Sequence, residues 1–209
     1  KILTLSKSMS TPFFRVHPLG KDVRLTLRIP NPAVEKSEAK IVSETLESIP
    51  RSFDVAKNLG HDSSPIFEVI LPMTRHAREI ERVYSYYKNQ IVGQQHQKIH
   101  DITVKEWIGE FKPDTINVIP LVEDKESLSN VTQIVEPYLK GKKLEYQRVF
   151  LARSDPALNY GMLSAVLLNK CALADLEQLE KKTSVDMLPI IGVGSVPFRG
   201  NFSPDNINC

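Results

Sequence analysis

Arginine and carboxylate residues gather at the ends of five short β-branched runs of this chain. Arg28 leads the segment Arg28-Ile29-Pro30-Asn31-Pro32, Arg75 closes Pro72-Met73-Thr74-Arg75, and Glu123-Asp124 follow a third run. A fourth run leads into Arg153-Ser154-Asp155-Pro156, and a fifth into Gly194-Ser195-Val196-Pro197-Phe198-Arg199-Gly200-Asn201. The planar fork of arginine suits phosphate and carboxylate groups, and Asp and Glu oxygens suit a hard divalent cation. The composition therefore points to an anionic, phosphorylated substrate held beside a metal. Glu123 and Asp155 end neighbouring runs, 32 residues apart. Two carboxylates converging there bind Mg²⁺ or Mn²⁺ with few protein ligands and leave room for substrate oxygens and water. Plainer readings stay open: Glu123 or Asp124 can cap a helix starting near Ser127, and Asp155-Pro156 is also a helix-start signal.

The fifth loop combines glycines with Arg199, so its backbone N–H groups and one guanidinium can face a phosphate. A lone Gly-x-Gly is weak evidence, because tight turns need glycine on steric grounds. The five histidines, His17, His61, His76, His96 and His100, are scattered. They read as surface or helix-start residues, with only His76 placed to face a site. Tyr84, Tyr86 and Tyr87 read as one side of a packed helix.

Strands must position these residues. Asp22–Ile29, Ile66–Leu71, Ile116–Leu121, Gln147–Leu151 and Leu188–Val193 are nearly continuous apolar runs, as in parallel strands buried on both faces. Between them, Ala39, Val42, Leu46 and Ile49 predict a helix that Pro50 stops. Ile80 to Ile91 predicts a second, Leu128 to Leu139 a third that Pro137 bends or shortens, and Ala165 to Leu179 the longest. The stretch from Gly93 to Thr115 is irregular, with a short amphipathic piece around Trp107. Strand-then-helix units in series imply parallel strands with crossover helices, either a doubly wound sheet or part of a (β/α)8 barrel. In both, the active site lies at the carboxyl ends of the strands. Eight units need about 250 residues, so a barrel reading of 209 residues expects further units outside this chain.

A net charge of +2 without a basic stripe argues against nucleic-acid binding. No apolar run reaches the roughly 18 residues of a membrane span, and the start KILTLSKSMS has no signal-peptide core. Two cysteines, Cys171 and Cys209, are too few for a disulfide framework, which predicts a reducing cytoplasm. The Asn-x-Ser/Thr triplets at Asn130 and Asn201 read as chance.

Taken in order, DVRLTLRIPNPAVEKSEAK, FEVILPMT, KEWIGEFKPDTINVIPLVED, RVFLARSDPALNYGM and LPIIGVGSVPFRGNFSPDN resemble the archaeal-type phosphoenolpyruvate carboxylase family from Phe13 to Asn206. The resemblance implies a lyase joining phosphoenolpyruvate to bicarbonate with Mg²⁺ or Mn²⁺, on a (β/α)8 barrel of the phosphoenolpyruvate-binding group, as a homotetramer. IPLVED resembles the family's PLFET-type strand end, which makes Glu123 a metal ligand. ARSDPALNYG resembles the GYSDSxKDAG element of the larger bacterial and plant enzymes, which makes Asp155 the second. Arg28 matches an arginine expected to meet substrate phosphate or carboxylate. Arg199 corresponds to the last arginine of a GRGG loop that steadies the transferring phosphoryl group, though the glycine pairs are reduced here. Arg28, Arg153 and Arg199 are then the expected catalytic arginines, and Gly194 and Ser195 join Arg28 and Arg199 in binding substrate.

Family members are more than twice as long. The histidine-bearing MSTQHPDN-like element has no counterpart here, nor have the last barrel strands, so the chain is expected to be a central fragment forming one partial barrel domain over residues 1–209. Three other readings remain: a different phosphoenolpyruvate or pyruvate barrel enzyme, which would not share both ARSDPALNYG and PFRGNFSP; a non-catalytic phosphoenolpyruvate- and metal-binding module; and a doubly wound nucleotide-binding domain, disfavoured by Pro30 and Pro32 where a phosphate loop would sit.

Overall fold

All five apolar runs contribute strands, and those that pair within one unit do so in parallel. The computed structural model describes residues 12–61 and 63–194. It divides into two compact units, Lys1–Leu71 with Glu81–Val118, and Pro72–Ile80 with Ile119–Cys209.

In the first unit a short helix, α1 (Pro12–Val16), precedes β1 (Thr26–Arg28). β1 pairs with β2 (Glu68–Leu71), Thr26 beside Glu68 and Arg28 beside Ile70. The linking helix α2 (Ile41–Asn58) buries Val42, Leu46, Ile49 and Ala56. Pro50 does not stop it: the helix runs eight residues further. An interior proline removes one N–H and crowds the preceding turn. Here Pro50 lies on the buried face, with Leu46 and Ile49 before it and Ala56 after it. The apolar stripe therefore continues past the break. Hydroxyls also serve carbonyls of that turn, Ser48 Oγ donating to Thr45 O and Ser52 Oγ to Ser48 O, both at 2.6 Å.

The second predicted helix is α3 (Ala77–Tyr86), which widens into a π-helical turn over Tyr87–Val92. Tyr87 is fully buried there, and its hydroxyl donates to Pro113 O at 2.9 Å. Burial, helped by the charge of Asp114, pushes this phenol well above its ordinary pKa. It stays a neutral donor. The irregular stretch holds a two-residue hairpin, β3 (Lys98–Ile99) with β4 (Ile102–Thr103), and the one-turn helix α4 (Val104–Ile108). Thr103 and Glu106 close a reciprocal capping box at its start.

β5 (Asn117–Val122) begins at the end of the first unit and continues in the second. There it pairs with β6 (Tyr146–Ala152), which pairs with β7 (Asp186–Gly192). Val118, Ile119, Val122, Val149 and Leu151 are fully buried, as expected of strands covered on both faces. The third predicted helix splits at Asn130 into α5 (Lys125–Ser129) and α6 (Val131–Leu139), and α6 ends two residues after Pro137. After β6 come α7 (Ser154–Tyr160) and α8 (Met162–Thr183), the longest helix. α8 packs on α5, α6, α7, β6 and β7. Its buried Asn169 donates from Nδ2 to Ala152 O and Ala165 O, both at 3.0 Å, which fixes the helix against the end of β6.

α8 closes on Ser184 in the left-handed region, at φ 55. A side chain there costs about 1 kcal/mol that glycine avoids. Ser184→Gly should therefore raise the unfolding free energy by about 0.5–1 kcal/mol in a urea titration. No helix among the described residues is long and apolar enough to cross a membrane.

Candidate active site

The exits of β5 and β6 lie side by side. Val122 sits beside Leu151, and one further step along that register puts Glu123 beside Ala152, three residues before Asp155. Strand exits this close are about 5 Å apart in the sheet direction. Glu123 is half-buried, and its Oε2 accepts the Met73 N–H at 2.7 Å. Met73 holds φ 50, rare for an unbranched long side chain. Asp155 is exposed in the first turn of α7.

Asp124 has the other role weighed for this pair. It is the N-cap of α5, with Oδ1 accepting the Ser127 N–H at 2.8 Å and Oδ2 accepting Arg75 Nε at 3.0 Å. Burial pushes its carboxyl upward, yet the hydrogen bonds from Ser127 and the charge of Arg75 together hold it below the usual value. The helix start thus uses Asp124 and does not need Glu123. Asp155 fits both readings, since it lies in a helix's first turn and at a strand exit.

Arg153 stands at the N-cap position of α7; its N–H donates to Gly192 O at 2.9 Å and its Nη2 lies 3.8 Å from Met162 Sδ. The loop after β7 starts next to it, with Gly194 N–H donating to Ser154 Oγ at 3.3 Å. Gly192 is glycine for a packing reason: a Cβ there would stand 2.4 Å from the Phe150 ring. Ser195 and Arg199 lie outside the described residues. Arg28 belongs to the first unit, exposed, with Nη2 3.8 Å from Glu35 Oε1. Such an open ion pair contributes at most about 1 kcal/mol, so Arg28 is held only weakly by Glu35. His76 precedes α3, its N–H donating to Glu79 Oε2 at 3.4 Å.

Sequence reasoning missed the Met73 amide, which has no side-chain signature, and Asn169, which periodicity hides among core positions. It noted Arg75 at a strand exit without its partner Asp124. Beside that pair a cleft of about 400 Å³ is lined by Arg75, Asp124, Lys125, Glu126, Ser129 and Tyr160.

Among the described residues no group of three or more His, Cys, Asp or Glu is assembled for a metal ion. Mg²⁺ commonly uses one or two carboxylates and completes its shell with water and substrate oxygens. Glu123 and Asp155 are a donor set of that kind, hard oxygens at neighbouring strand ends. A carboxylate already oriented by a backbone N–H, as Glu123 is, is the usual form of such a ligand.

Comparison with known proteins places these residues in context. The profile of the family described as phosphoenolpyruvate carboxylase matches residues 4–209. The phosphoenolpyruvate carboxylase of Methanothermobacter thermautotrophicus is 58% identical over 197 residues, covering 93% of this chain and 41% of the relative. Those of Methanospirillum hungatei and Pyrococcus furiosus are each 53% identical, over 93% and 94% of this chain and 41% and 42% of the relative. The chain thus spans about two fifths of the length of these curated relatives. A match that runs through every strand exit in order, at this identity, leaves one conclusion: the chain belongs to the phosphoenolpyruvate carboxylase family.

Proposed function

We propose that the protein carrying this chain is a phosphoenolpyruvate carboxylase, joining phosphoenolpyruvate and bicarbonate to give oxaloacetate and phosphate. The observation that supports this most is Glu123 at the end of β5, one register step from the β6 exit that carries Asp155, in a chain of this family. The five strands then belong to one (β/α)8 barrel domain of the phosphoenolpyruvate-binding group, and the full enzyme is a cytoplasmic homotetramer.

The reaction balances without any redox partner. A bicarbonate oxygen bonds to phosphorus, and the bond between phosphorus and the enol oxygen breaks with its electron pair left on that oxygen. Carboxyphosphate then splits to CO₂ and phosphate, which keeps the bicarbonate proton, and the enolate carbon attacks CO₂. Glu123 and Asp155 are the residues that would hold Mg²⁺ or Mn²⁺. When bound, the cation offsets charge developing on the enolate oxygen. Arg28 and Arg199 bind the phosphate and carboxylate of the substrate, with Gly194 and Ser195 on the same loop as Arg199. Arg153 adds positive charge beside Asp155. These fixed donors offset phosphoryl charge as it moves. Water must be kept out, because a protonated enolate is lost as pyruvate.

Arg199→Lys should lower kcat by about 10²-fold, since a point charge does not replace the planar fork; steady-state kinetics at saturating substrate reads this. The route itself is tested with ¹⁸O-labelled bicarbonate. One labelled oxygen in each phosphate released supports attack at phosphorus. Phosphate free of label would remove bicarbonate as the nucleophile.

A further inference from the structure

We infer that Arg75 is a positioning residue for the Glu123 carboxylate, acting through Asp124 and the backbone amide of Met73. The inference rests on the reading of Glu123 as a metal ligand. Three contacts join the segment after β2 to the exit of β5, all within the second unit. Thr74 N–H donates to Leu121 O at 3.0 Å, Met73 N–H to Glu123 Oε2 at 2.7 Å, and Arg75 Nε to Asp124 Oδ2 at 3.0 Å. Asp124 is itself anchored, because its other oxygen caps α5 through the Ser127 N–H at 2.8 Å.

Met73 is the weak point of this arrangement. A methionine at φ 50 keeps that conformation only where its neighbours impose it. On its far side Thr74 is fully buried. Beyond it Arg75 is tied twice, its N–H to Glu79 Oε2 at 2.9 Å and its side chain to Asp124. Without the Arg75 side chain, one of the ties that keep the Met73 amide aimed at Glu123 is lost. An N–H on one carboxylate oxygen fixes the plane of the whole group, which is how outer partners tune metal-binding carboxylates. The Arg75–Asp124 pair is open to solvent, with the arginine 64% exposed. Its direct contribution to stability is therefore small. The effect belongs on the cation, not on the fold.

The test is Mn²⁺ binding to the metal-stripped full-length protein, with free Mn²⁺ followed by electron paramagnetic resonance. Arg75→Ala should raise the Mn²⁺ Kd about tenfold, as loss of an outer partner does. Its melting temperature should move by about 2 °C or less. Arg75→Lys, which keeps a charge for Asp124, should restore most of the affinity. In turnover, Arg75→Ala should raise the apparent KM for Mn²⁺ and recover kcat at saturating metal. Glu123→Gln and Lys181→Ala are run beside it, the second removing an exposed pair with Glu177 on α8. An unchanged Kd in Arg75→Ala, with binding lost in Glu123→Gln, overturns the positioning role and leaves the metal site standing. Binding unchanged in Glu123→Gln overturns the metal site, and the positioning role with it. An equal loss in Lys181→Ala overturns the positioning role in favour of general loosening. Should Arg75→Ala not fold, Asp124→Asn makes the same comparison, because its amide oxygen still accepts from Ser127.

Discussion

Asp155→Asn should reduce metal-dependent turnover by about 10²-fold or more while the protein stays folded. The substitution keeps size, shape and an acceptor oxygen, and removes only the charge. Asp155 is exposed in the first turn of α7. As a helix-start residue alone it would be worth roughly 0.3–1 kcal/mol through the helix dipole, with no consequence for catalysis. As a metal ligand it cannot be replaced by a neutral amide without weakening the cation's hold. The two roles therefore predict different results in the same pair of measurements. Wild-type kcat with a melting point lowered by a few degrees would leave Asp155 only its helix-start role. Loss of turnover with an unchanged melting point assigns it to the site.

The largest effect on stability is expected at Gly20→Ala, far from any catalytic group. Gly20 turns the chain at φ 89, and an added Cβ would stand 2.4 Å from Ser64 O and 2.7 Å from Ser64 C. Backbone cannot swing aside as a side-chain tip can. The turn is held from several directions: Gly20 N–H donates to Val23 O at 2.6 Å, and Ser63 Oγ to Leu19 O at 3.0 Å. Leu19 is buried beside it. Left-handed strain of about 1–2 kcal/mol adds to an overpacking cost of about 1–3 kcal/mol. Gly20→Ala should thus lower the unfolding free energy by about 2–5 kcal/mol in a urea titration. A cost near 1 kcal/mol would mean that the 63–64 segment yields to the methyl group.

The residues that could be read from the linear chain are those whose role depends on type and strand position. Val118 and Ile119 in β5, and Val149 and Leu151 in β6, announce buried parallel strands because both faces are apolar. Glu123 and Asp155 stand out because they follow such strands. Pro50 misled for a physical reason. Local propensity stops a helix at proline, but burial of Leu46, Ile49 and Ala56 along one face outweighs that preference. Glu123 and Asp124 were equivalent in sequence and are distinct in three dimensions, because only Asp124 reaches the Ser127 amide. The Met73 amide was invisible, since every residue but proline carries an N–H, and the fold, with Met73 at φ 50, brings this one to Glu123. Gly192 carries no mark in the sequence of its packing role, in which the missing side chain makes room for the Phe150 ring.

The most direct test is oxaloacetate formation, followed through malate dehydrogenase, with phosphoenolpyruvate, bicarbonate and Mg²⁺ supplied to the full-length protein that carries this chain. Carboxylation at the Glu123–Asp155 site predicts oxaloacetate that requires all three components and disappears in Asp155→Asn. No oxaloacetate with every component present, or undiminished product from Asp155→Asn, would contradict it.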